Sequence, residues 1–173
     1  FVGDGVKMLI TRALPKKARN ESLIEDCRKD FETIYREYWN RRTVPYQFIP
    51  ELLNALTKLK LKLTILSNKP HEFTVLTVDH FLHNWNFDLI LGQRDGVPNK
   101  PDPAGMLEIC SQLGIVSEDF LYLGDTANDM KTAVAAGCRP VGVLWGFRTE
   151  KELKDNGAQA TVKNPLDVLK LLN

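Results

Sequence analysis

Residues 120–129 read Phe-Leu-Tyr-Leu-Gly-Asp-Thr-Ala-Asn-Asp, the most informative ten positions in the chain. The apolar run Phe120 to Leu123 has the length of a buried strand, and it stops at Gly124-Asp125 before a helical stretch from Ala127 to Ala136. One carboxylate therefore stands at the strand tip and a second, Asp129, four residues on, near the start of the helix. Carboxylates grouped at such an edge suit magnesium, a hard cation that takes oxygen ligands and keeps some of its waters. Either aspartate alone could simply shape a turn; the pair is harder to dismiss.

Outward from this point the same beat repeats. Helix Pro103–Leu113 precedes strand 120–123, and helix Ala127–Ala136 precedes strand Val141–Leu144. Upstream, helix Pro50–Leu59 leads to strand Leu61–Leu66, and helix Glu72–Phe81 to strand Phe87–Leu91; a last helix begins near Pro165. Alternating helices and short apolar runs predict an α/β fold with a doubly wound parallel sheet. Ligands of such sheets sit beyond the carboxyl ends of the strands, so the residues after each strand carry the functional reading.

Strand 61–66 is followed by Ser67-Asn68-Lys69-Pro70, where a hydroxyl and free backbone N–H groups converge as in a phosphate cradle, although an ordinary Ser/Asn helix cap is equally compatible with the tetrapeptide. Between this loop and the aspartates lies Gly96-Val97-Pro98-Asn99-Lys100-Pro101-Asp102-Pro103. Its lysine sits between residues that forbid helix. A lone lysine is usually only solvated, but a cation near two carboxylates and a phosphate cradle has work to do.

The region before residue 45 is different. Val6–Ala13 reads as a short helix and Asn20–Arg42 as a long amphipathic one, with Ile24, Cys27, Phe31, Ile34, Tyr35 and Tyr38 at three- and four-residue steps and Ser22 with Glu25 as a capping box. Ten basic and seven acidic side chains fall in residues 1–42, so the unit is mildly basic, helical and without a strand signal.

Composition excludes much. The 173 residues are 43% hydrophobic and 26% charged with a net charge of +1, which supports a real core and gives no electrostatic footprint for nucleic acid. No apolar run approaches the ~18 residues that span a bilayer. Cys27, Cys110 and Cys138 have neither CxxC spacing nor an even count, which argues for a reducing, cytoplasmic setting over disulfides or zinc. His71, His80 and His83 form no convincing metal constellation, and Met8, Met106 and Met130 suit helix packing.

A serine after one strand, a lysine in a KPDP loop and GDxxxD after another strand resemble, as an ordered set, motifs two, three and four of the haloacid dehalogenase superfamily. The segments Phe1-Val2-Gly3-Asp4-Gly5 to Arg12-Ala13, Ser67-Asn68-Lys69-Pro70 and Val141-Gly142-Val143 with Trp145-Gly146 look like its phosphoglycolate phosphatase branch. The resemblance covers nearly the whole chain and implies a Rossmannoid core over residues 46–173 with a small helical cap, in part, over residues 1–45. It also implies a magnesium-dependent phosphatase acting on a small phosphate monoester through an aspartyl-phosphate intermediate. On that basis Asp125 and Asp129 are the expected metal residues, Ser67, Asn68 and Lys100 the expected phosphate-binding residues, and Lys100 and Ser67 the expected catalytic ones. Arg12 could meet a substrate carboxylate or form an ordinary surface ion pair; Arg148 has a similar standing. The expected partner is a small phosphorylated molecule, with no nucleic acid or membrane, and the protein is expected to be a monomer or homodimer.

The superfamily's first motif, DxDGT, carries the nucleophilic and acid/base aspartates, and no DxDGT occurs in the 173 residues. Asp4-Gly5 follows no apolar strand. The expectation is that about 40 to 50 residues, holding the central strand and first cap helix, precede Phe1 in the complete protein, and that the chain alone has no turnover. A sugar-phosphate hydrolase or mutase of the same superfamily, or a non-catalytic binding module, are the rival readings; a metal-free dehalogenase fits GDxxxD less well.

Overall fold

The computed structural model describes residues 5–172. Phe1 to Asp4, which open the segment compared with the cap, lie outside the described residues. The elements are α1 (Val6–Ala13), α2 (Glu21–Tyr38), α3 (Ile49–Lys58), β1 (Thr64–Pro70), α4 (His71–Phe81), β2 (Leu89–Gln93), α5 (Ala104–Leu113), β3 (Leu121–Gly124), α6 (Ala127–Ala136), β4 (Arg139–Val143), α7 (Glu150–Asp155) and β5 (Ala160–Val162), with a closing 3-10 turn over Pro165–Leu171. The fold is α/β and every strand pair is parallel. The strands form two sheets rather than one, with orders β1-β2 and β3-β4-β5.

The two sheets are held by separate apolar clusters. Leu91, Met106, Ile109, Tyr122 and Ala133 join β2 and β3 to α5 and α6. Leu52 and Leu56 of α3 pack with Val141, Val143, Val162 and Val168, so helices cover the strands from both sides. Between β1 and β3 lies an apolar cavity of about 550 Å³, walled by Leu63, Leu66, Met106, Tyr122 and Leu123 among others.

Several boundaries shift from the expected ones for local reasons. Leu59 to Leu61 belong to the exit of α3: Lys60 adopts a left-handed φ of 57°, and the Leu61 N–H returns to the Leu56 carbonyl. A left-handed helix exit usually shows as glycine, so lysine hid it. β1 accordingly starts at Thr64 and runs on through Ser67-Asn68-Lys69-Pro70, with a break in its pairing to β2 between Leu66 and Pro70. Such an irregularity re-aims side chains at a strand end. The start of α2 is capped by Asn20, whose Oδ1 accepts from the Leu23 N–H at 2.9 Å, in place of the expected Ser22–Glu25 box, and α2 ends at Tyr38. Six-residue α7 and three-residue β5 are too short to leave a periodic signature, and the helix expected near Pro165 is the 3-10 turn.

Helix α2 lies on α4. Arg36 makes a two-pronged ion pair with Glu72, Tyr35 meets Phe73 edge-on at 5.1 Å, and Trp39 meets His80 and Phe81. Its predicted stripe is therefore split, because Ile34 and Tyr38 are exposed while Ile24 is buried.

At the other end of β1, Asp88 fixes its register against β2. One carboxylate oxygen accepts from Lys62 at 2.6 Å and the other from the Leu63 N–H at 2.9 Å. These bonds, Lys62 first, hold the Asp88 carboxyl below its ordinary 3.8. A depressed folded-state pKa contributes stability that is present above the unfolded value and lost as pH falls through the folded one. Asp88→Asn is expected to lower stability by about 1–3 kcal/mol at pH 7, with the difference from the parent closing as the pH falls through the depressed folded-state value; urea unfolding at pH 7 and in acid measures it.

Candidate active site

The loops after β1, β2 and β3 meet at one edge. Lys100, on the KPDP loop, is the piece that joins them. Its ammonium donates to the Leu66 carbonyl at 3.0 Å and to Asp129 Oδ1 at 2.7 Å. Its backbone N–H donates to Asn68 Oδ1 at 2.8 Å, and the Asn68 amide donates back to the Lys100 carbonyl at 3.0 Å. Asn68 is buried, so this reciprocal pair pins the lysine loop to the end of β1 at both backbone atoms.

Lys100 and Asp129 are largely withdrawn from water, with side chains 14% and 8% exposed. Removing two charges from water is costly unless their remaining hydrogen-bonding capacity is met, and here it is. Asp129 Oδ2 accepts from the Thr126 N–H at 3.0 Å and the Thr126 hydroxyl at 2.6 Å, while Thr126 and Asp129 form the capping box of α6. An ammonium has three donors; among the described residues two are used, leaving one for a ligand.

Close backbone approach makes this possible. A Cβ on Gly124 would stand 2.1 Å from the Asp129 Cβ, and one on Gly146 would stand 2.3 Å from the Asp125 Cβ. Asp125, at the tip of β3, accepts from the Phe147 N–H through Oδ2 at 2.9 Å. Ser67 Oγ accepts from the Lys69 N–H at 3.1 Å, which leaves its own proton to be donated elsewhere.

Ser67, Asn68, Lys100, Asp125 and Asp129 all line one cavity of about 470 Å³, within the range of about 300–1,000 Å³ for small-molecule sites. Arg12, at the last turn of α1, is exposed and is not among the residues lining it; Arg148 pairs instead with Glu152. The turn Gly3-Asp4-Gly5 lies outside the described residues but for Gly5, which touches the cavity. Sequence reasoning missed the role of Thr126, although a threonine three residues before an aspartate is a capping pattern. It also missed the Phe147 N–H that holds Asp125, for which no local signal exists.

The donor set matches a hard cation in part. Asp125 keeps one carboxylate oxygen without a described hydrogen bond, but Asp129 is committed to Lys100 and Thr126, and no cluster of three or more potential ligand residues exists among the described residues. Asp125 can be a direct oxygen ligand; Asp129 can act only through a water or through Lys100.

The family described as haloacid dehalogenase-like hydrolase matches residues 1–143. The chain belongs to that family. Among its relatives, phosphoglycolate phosphatase from Aquifex aeolicus is 32% identical over 173 residues, which is 100% of this chain and 78% of that protein. Phosphoglycolate phosphatase from Chromobacterium violaceum is 30% identical over 174 residues, 99% of this chain and 77% of its own. The crystal structure of a candidate phosphoglycolate phosphatase from Lactobacillus delbrueckii subsp. bulgaricus matches with a TM-score of 0.90 at 25% identity, covering 99% of this chain and 80% of that one. Within the haloacid dehalogenase-like hydrolases, then, the chain stands in the phosphoglycolate phosphatase-like branch. No described helix is long and apolar enough to cross a membrane.

Losing one partner of the buried pair strands the other. Lys100→Met is expected to cost about 3–5 kcal/mol in chemical denaturation, and Lys100→Met with Asp129→Leu to cost clearly less than the sum of the two single changes, giving a coupling of about 1–3 kcal/mol in the double-mutant cycle.

Proposed function

We propose that the protein is a magnesium-dependent phosphatase that hydrolyses a small phosphate monoester by way of an aspartyl-phosphate. The observation that carries the reading is the convergence of a strand-end hydroxyl, a largely buried lysine and two carboxylates, delivered by three separate strand-end segments, on the wall of one cavity. Names borne by the relatives agree with it.

In this reading residues 46–173 are the catalytic core and residues 1–45 part of the cap. Ser67 Oγ–H and the Asn68 N–H bind a phosphoryl oxygen, each donor aimed where charge accumulates as the phosphoryl group transfers. Lys100 spends its remaining N–H on a second oxygen and offsets the charge of the carboxylates around it. Asp125 is the residue that would hold the metal, and Asp129, bound to Lys100 and Thr126, keeps the lysine aimed. Magnesium, when bound, would supply charge neutralisation at the phosphoryl oxygens. The aspartate that attacks phosphorus has no DxDGT counterpart in residues 1–173, so the chain by itself binds without turning over.

Calorimetric titration of inorganic phosphate in magnesium chloride tests this. Binding is expected, weakened at least about tenfold by Ser67→Ala and made independent of magnesium by Asp125→Asn, with no release of p-nitrophenol from p-nitrophenyl phosphate. Absent binding refutes the site, and turnover by the bare chain refutes the inactivity.

A further inference from the structure

Five charged side chains line the cavity among the described residues: Glu32, Lys69, Lys100, Asp125 and Asp129. Four of them have a partner or a role already. Lys100 and Asp129 hold each other, and Asp125 is the residue that would hold the metal. Glu32, the carboxylate that α2 brings to the cavity, pairs with Arg28 and lies in the field of Arg36. Lys69 is different. Its partners among the described residues are Thr77 Oγ1, to which its ammonium donates at 3.3 Å, and the face of the Tyr35 ring, 5.7 Å from the centroid; neither carries a negative charge.

These contacts fix where the ammonium sits. Thr77 donates its own hydroxyl proton to the Phe73 carbonyl at 2.6 Å, which leaves its oxygen to accept from Lys69. Tyr35 is braced in turn, stacked on Phe31 at 5.3 Å and edge-on to Phe73 at 5.1 Å, and a cation within about 6 Å of a ring centroid is attracted to its face. An ammonium has three donors; with one used, two remain for the oxygens of a ligand. A cation held in this way loses little side-chain freedom when a ligand arrives. Val6, Leu9 and Phe31 line the same side of the cavity, and apolar surroundings strengthen an ionic contact.

The position relative to Ser67 limits the ligand. Lys69 follows Ser67 by two residues, and its N–H is bonded to Ser67 Oγ at 3.1 Å. Two residues span at most about 7 Å of backbone, so one short molecule can reach both the phosphoryl donors and the Lys69 ammonium. Arg12, the sequence candidate for a substrate carboxylate, does not line the cavity.

We infer that Lys69 is a specificity-determining residue, receiving a carboxylate carried a few bonds from the substrate's phosphate. This rests on the phosphatase reading above and assigns the choice of leaving group to a side chain of the core, with Tyr35 and Thr77 as the residues that position it. Lys69 touches the leaving group and not the phosphoryl centre.

Calorimetric titration of the 173-residue chain in magnesium chloride tests this with inorganic phosphate, phosphonoacetate and ethylphosphonate, the last two differing by a carboxylate in place of a methyl group. The parent is expected to bind phosphonoacetate at least about tenfold more tightly than ethylphosphonate. Lys69→Met, which keeps an unbranched apolar stem against Tyr35, is expected to shrink that ratio to about twofold or less while changing phosphate affinity by no more than about threefold. Lys69→Arg, which keeps the charge, is expected to preserve most of the ratio. If phosphate binds but the parent shows no preference, or if the preference survives Lys69→Met, the inference is overturned and the phosphatase reading stands. If Lys69→Met weakens all three probes alike, the lysine serves the phosphoryl group or the fold, and the inference is likewise overturned. If none of the three probes binds, phosphate included, both readings fall together.

Discussion

The ion pair between Lys100 and Asp129 is the interaction on which this site depends. It is buried, so it must be satisfied on every side, and the partners that satisfy it come from three different connections: the Leu66 carbonyl and Asn68 at the end of β1, the KPDP loop that carries Lys100, and Thr126 at the start of α6. A desolvated pair is weak evidence for net stability but strong evidence for specificity of arrangement. Here it draws the ends of strands from two separate sheets onto one point. The glycines of the GDxxxD segment and of the Trp145-Gly146 loop serve the same end, since a single methyl at either would collide with Asp129 or Asp125.

Around that point the molecule divides its labour by chemistry. The core side of the cavity is polar and charged, built from strand-end loops where backbone N–H groups are unpaired by the sheet. The helical side is aromatic, built from α1 and α2 and anchored to the core through α4 by the Arg36–Glu72 pair and the Tyr35–Phe73 contact.

Much of this was legible from the chain. The α/β class, the helix over 127–136 and the grouping of Ser67, Lys100, Asp125 and Asp129 follow from strand-end positions and from residue types with few structural alternatives. The boundaries that went astray did so where the sequence carried an atypical residue for its geometry: Lys60 in a left-handed exit, Asn20 capping where Ser22 with Glu25 spelled the more familiar box, and β1 continuing through a proline that the pairing break accommodates. Arg12 stands near the Gly3-Asp4-Gly5 stretch in sequence, yet it is not among the residues that line the cavity.

What the sequence determined by itself was the set of chemical groups and the order in which the chain delivers them, because short apolar runs and their terminating residues are encoded locally. What only the tertiary structure decided was which of those groups share a hydrogen bond and which surface faces them. The Phe147 N–H on Asp125, the reciprocal Asn68–Lys100 bonds and the aromatic wall of Phe31, Tyr35 and Phe73 join residues as many as 42 positions apart in the numbering. Long-range partners of this kind are chosen by packing, and packing leaves no period or motif along the chain.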